Sequence, residues 1–191
     1  MKKRNLFIIC VAVLLVTAAT GCSSDNNDDN IVQETAVPED VGTFFNNCFE
    51  EGTSTVSTLG GFFSPDDYRD VLDGDGTILP SLVKVRAIHS QEELEASYKG
   101  ELALPKIDFS QYVLLLGLTY RSSGRISLGK VRLLHLSDNS YELQVIMYSN
   151  TNKDLAYKLD IAPVMFWKLY PKFPTSNLKV VLRTEEVWLN K

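Results

Sequence analysis

Few side chains in this 191-residue chain are of types that do chemistry, and spacing decides what each could do. There are three cysteines (Cys10, Cys22, Cys48) and two histidines (His89, His135), with no CxxC pair and no Cys/His metal spacing. The sequence lacks a G-x-S-x-G nucleophile elbow, a P-loop and a G-x-G-x-x-G opening a helix, so neither a cofactor nor a bound metal is expected. His135 continues the alternation of Val131 and Leu133 and precedes Asp138, a pairing that could orient a general base. With no nucleophile motif beside it, a structural histidine is the simpler reading and a hydrolase the least favoured function. "DGDGT", residues 73–77, fails as a calcium loop in both registers, since position 6 or the first ligand is wrong. Asp-Gly pairs form turns. Trp167, Tyr170 and Trp188 could stack on sugar rings if exposed together. Core packing competes, because Phe166 and Trp167 point to opposite sides of a strand.

Cys22 has the clearest chemical fate. "MKKRNLFIICVAVLLVTAATGC" begins with Lys2, Lys3 and Arg4, continues with eleven apolar residues from Leu6 to Val16, and ends in small residues. That run is too short to span a bilayer, which takes about 20. Ala19, Thr20 and Gly21 before Cys22 resemble a lipobox, the site where signal peptidase II leaves a lipidated cysteine at the new N-terminus, with Ala19 where Leu is commonest. An ordinary cut after "TAA" is the competing reading. One acyl chain binds a membrane only marginally, at about 0.8 kcal/mol per buried methylene, so stable anchoring takes more than one. The two or three chains of a bacterial lipoprotein cysteine suffice, which makes the membrane a partner through Cys22.

The rest follows from that cut. Residues 1–21 are expected as signal peptide, 22–36 as an acidic disordered tether and 37–191 as one globular domain. Ser24, Asp25, Asp28 and Asp29 after the cysteine resemble the surface-export signal of lipoproteins from Bacteroidota, which implies an outer-membrane, surface-facing location. A plain acidic linker is the alternative. Removing the signal peptide leaves Cys22 and Cys48, so a disulfide framework is excluded if Cys22 is lipidated. The mature chain holds 16 basic against 24 acidic residues, and residues 22–76 alone carry 13 acids and one base, Arg69. The basic residues of the second half alternate with apolar ones, as on the wet face of a sheet, and form no nucleic-acid patch.

Periodicity and capping residues predict the secondary structure that carries these side chains. Val41, Phe44, Phe45, Cys48 and Phe49 recur at helical spacing after Pro38, Glu39 and Asp40. Cys48 therefore reads as core rather than nucleophile. "SPDDYRDVL" predicts a short helix capped by Ser64, and "SQEELEASYKG" one with Ser90 and Glu93 as a capping box and Gly100 as its stop. Strands are expected at 82–88, 112–119, 125–136, 141–149, 155–161, 165–170 and 178–189, with a bulge at Gly129, where the apolar alternation changes phase. Together these predict a mostly β α+β fold: an antiparallel sheet, as a meander or partly closed sandwich or barrel, with two or three short helices in the N-terminal half.

"LPKIDFSQYVLLLGL", "SSGRISLGKVRLLHL" and "YELQVIMYS" resemble the C-terminal domain of the protease-complex accessory subunit PrcB, over residues 83–183 at most. That family's Gly-Gly-Tyr turn is Ser123, Gly124, Arg125 here, and the resemblance implies a fold rather than an activity. The function expected is that of a non-catalytic outer-membrane lipoprotein presenting a β-rich domain that binds or supports another component, a protein or a glycan, with the ligand open. A glycan-binding accessory module is the alternative.

Overall fold

The computed structural model describes residues 30–49, 59–69, 83–136, 140–153, 156 and 161–188. The signal peptide, Cys22, the acidic run to Asp29, the "DGDGT" turn, Asp138 and nearly all of the strand expected at 155–161 lie outside the described residues.

Two sheets and a helical layer make three storeys. One sheet has the order β1 (Ile31–Val32), β4 (Ile126–His135), β5 (Tyr141–Asn150), β7 (Leu178–Val187). The other has the order β2 (Lys84–Ile88), β3 (Tyr112–Arg121), β6 (Ala162–Pro171). The expected α+β, mostly β class holds, and neither sheet closes into a barrel. The chain is not a simple meander, because β3 pairs with β6 and β7 runs parallel to β5.

β3 shows why. In "YVLLLGLTYR" the apolar run is continuous, as in a strand covered on both faces. Val113 and Leu115 face the other sheet, with Leu133, Leu143, Val145, Phe166 and Tyr170. Leu114, Leu116 and Leu118 face the helices. All five β3 residues have no exposed surface, and each side chain so buried contributes about 1.5–3 kcal/mol.

The helices cover that second face. In α1 (Glu39–Phe49) the five residues of the predicted stripe, Cys48 included, are the buried ones. α2 (Pro65–Arg69) starts at Ser64, whose hydroxyl accepts from the Asp67 N–H at 3.1 Å while the Asp67 carboxylate accepts from the Ser64 N–H at 2.7 Å. In α3 (Gln91–Ser97) the Ser90 hydroxyl accepts from the Glu93 N–H, and Glu93 reaches back to the His89 N–H. α3 ends at Tyr98, two residues before the expected Gly100 stop, because Tyr98 turns into extended backbone and packs its ring on Phe44 and Phe62. Between α1 and α2, Gly60 and Gly61 adopt φ of 62° and 76° in a 3-10 turn, a conformation that suits glycine.

The bulge is where the sequence placed it, with the β4–β5 register shifting between Leu128 and Lys130. The expected tether is corrected at its end. Ile31 and Val32 pair with Leu134 and Leu133, so extended chain joins the fold before residue 36. Two apolar side chains and a ladder to β4 outweigh the ordering entropy there.

Candidate binding groove

The segment 31–35 bridges two strand edges. Val32 pairs with Leu133 of β4, and three residues on the Thr35 N–H donates to the Leu169 carbonyl of β6 at 3.1 Å. Between them Glu34 accepts from Lys168 Nζ at 2.7 Å. Extended chain thus fills one half of the gap between β4 and β6.

The other half is open. A groove of about 490 Å³ runs between Leu128, Gly129 and Val131 on β4 and Met165 to Lys168 on β6, with Asn46, Asn47 and Phe49 of α1 as its wall. Among the described residues β1 meets β4 only at two positions and β6 pairs only with β3, so both edges face this groove without a ladder partner. Its volume lies within the range of small-ligand pockets, about 300–1,000 Å³, and its lining mixes apolar surface with two amides and the Lys168 ammonium, which Glu34 already holds.

Trp167 stands beside the groove, half-buried, its ring stacked on Phe45 at 5.2 Å and its Nε1 donating to Asn46 Oδ1 at 3.1 Å. Tyr170 has no exposed surface and lies in the core between the sheets, where burial pushes its hydroxyl up. Trp188 follows the end of β7 and is 61% exposed. The three rings therefore do not present one surface, because successive positions of β6 feed opposite sides of its sheet. His135 is exposed and stacks on Tyr141 at 4.8 Å, and His89 Nε2 meets Thr175 Oγ1 at 3.0 Å. Burial pushes the Cys48 thiol up, against a smaller opposing pull from the Tyr98 hydroxyl, so it stays protonated at neutral pH. Among the described residues no three His, Cys, Asp or Glu side chains are grouped to hold a metal ion.

A second, larger cavity of about 910 Å³ lies between the 3-10 turn, α2 and the end of α3. Asp67 and Arg86 in its lining are committed to each other, and Lys99 donates to the Ala96 carbonyl. Asp67 receives Lys84 Nζ at 2.6 Å and Arg86 at 2.7 Å, and Arg86 also donates to the Phe62 carbonyl and lies 5.0 Å over the Phe63 ring. Burial raises the Asp67 carboxyl, but the hydrogen bonds from Lys84, Ser64 and Arg86 outweigh it and hold the group well below the usual carboxylate range. This cluster ties α2 to β2. The groove, by contrast, offers unladdered strand edges.

Sequence reasoning named Trp167 but missed the groove. The only signal it held was the bulge at Gly129, which marks where β4 departs from regular pairing. No protein family, curated protein or solved structure matches the chain.

Proposed function

We propose that this chain is a non-catalytic lipoprotein of the outer membrane, held by lipid at Cys22, whose β-rich domain binds or supports another protein of the envelope. The lipobox-like residues before Cys22 and the acidic run after it support the anchoring and the location. The binding role rests on one observation, the open groove between β4 and β6, whose other half already holds extended chain. A partner segment entering it would meet the same two edges that residues 31–35 bridge, a mode in which backbone hydrogen bonds give affinity and side-chain pockets give choice.

Two measurements test this reading. Palmitate labelling should mark the wild type and not Cys22→Ala; equal labelling refutes the anchor. A photo-crosslinking residue at Lys168 in intact cells should give a discrete adduct that Leu128→Trp, which fills the groove, removes. An adduct that survives the filled groove rejects this surface as the binding site.

A further inference from the structure

β7 ends its sheet, and among the described residues no strand pairs with its far side. Long edges of this kind are normally blunted by a proline, a bulge or a short length. β7 has ten residues, "LKVVLRTEEV", no proline and an unbroken register with β5. Among the described residues its guards are charges. Lys179 and Arg183 precede Glu185 and Glu186 along the strand, and all four are exposed. Leu178, Val180 and Leu182 pack toward the core between the sheets, whereas Lys179 and Arg183 reach Glu142 on the opposite face.

We infer that β7 pairs antiparallel with β7 of a second copy of this chain, about a two-fold axis at Leu182, joining the two four-stranded sheets into one. Directly opposed residues of an antiparallel pair share a face, so only registers matching odd with odd numbers are allowed. With Leu182 opposite the partner's Leu182, Lys179 stands opposite the partner's Glu185, twice by symmetry, and nine residues from Leu178 to Glu186 overlap. A slip of two in one direction sets Lys179 against the partner's Arg183, and in the other Arg183 against the partner's Arg183. Like charges directly opposite are destabilising, so both slips are disfavoured. A slip of four toward the C-terminus sets Arg183 against the partner's Glu185 but shortens the overlap to seven residues, and one toward the N-terminus leaves five and no opposed charge pair. The charge order that would repel an unrelated strand is thus complementary to itself, as an isologous interface requires.

Cysteine crosslinking of the full-length protein in detergent tests the register. Opposed residues lie about 4.5–5.5 Å apart between Cα atoms, within disulfide reach. Oxidation should link Leu182→Cys into a dimer and leave Val180→Cys monomeric, since Val180 faces the partner's Thr184. Mixing Val181→Cys with Arg183→Cys copies repeats the test on the outward face, in case the core-facing site disturbs folding. Adding Glu185→Lys should cut the Leu182→Cys dimer at least fivefold, while Glu186→Lys, the same charge change opposite the partner's Leu178, should leave it. Equal linking at Leu182 and Val180, no linking in either arrangement, or equal effects of the two lysine variants would overturn the pairing.

Discussion

Gly117 of β3 and Phe166 of β6 are register partners, and a Cβ built on Gly117 would overlap the tip of the Phe166 ring. The ring lies where a side chain at 117 would stand, on the face of the sheet that Val113 and Leu115 bury against β4 and β5. A single missing side chain in the most apolar strand therefore makes room for an aromatic anchor of the core between the sheets, and Phe166 in turn lines the groove.

Gly117→Ala should consequently destabilise the domain by about 1–3 kcal/mol, the usual cost of overpacking a filled core. Urea unfolding would read this as a lower midpoint at unchanged slope. Adding Phe166→Leu should return part of the loss, since it vacates the volume the new methyl needs. Additive losses would show that the two sites do not share that space.

Acid should act on the fold through Asp67. Its folded-state pKa lies well below the ordinary carboxylate value of about 3.9, so it contributes stability above that value and loses it as pH falls toward the folded-state value. Thermal unfolding from pH 5 to pH 2 should fall more steeply for the wild type than for Asp67→Asn. At pH 7 the variant should be weaker by about 1–3 kcal/mol, because Lys84 and Arg86, each one-third exposed, lose their common anion but keep some hydration.

Tyr170 separates a core role from a ligand-stacking one. Its hydroxyl is buried against the Leu133 backbone without a well-formed hydrogen bond, so removing it costs little. Tyr170→Phe should stay within about 1 kcal/mol of the wild type in urea, whereas Tyr170→Ala should lose about 3–5 kcal/mol. A large loss in the Phe variant would mean that the hydroxyl is firmly paired.

By itself the sequence determined what depends on near neighbours. The stripe from Val41 to Phe49, the Ser64 and Ser90 caps and the bulge at Gly129 are set by helical or strand periodicity and by local hydrogen bonds, and each is found where those rules put it. The expectation of a signal peptide ending before Cys22 likewise rests on residue order alone. Partner choice among strands was decided only in three dimensions. Nothing local to Leu178–Val187 makes it run parallel to β5, and nothing local to Tyr112–Arg121 selects β6 over β4. Such pairings depend on which apolar faces can be covered at once, so the burial of Tyr170, the groove between β4 and β6 and the edge of β7 that no strand pairs among the described residues arose from the tertiary fold.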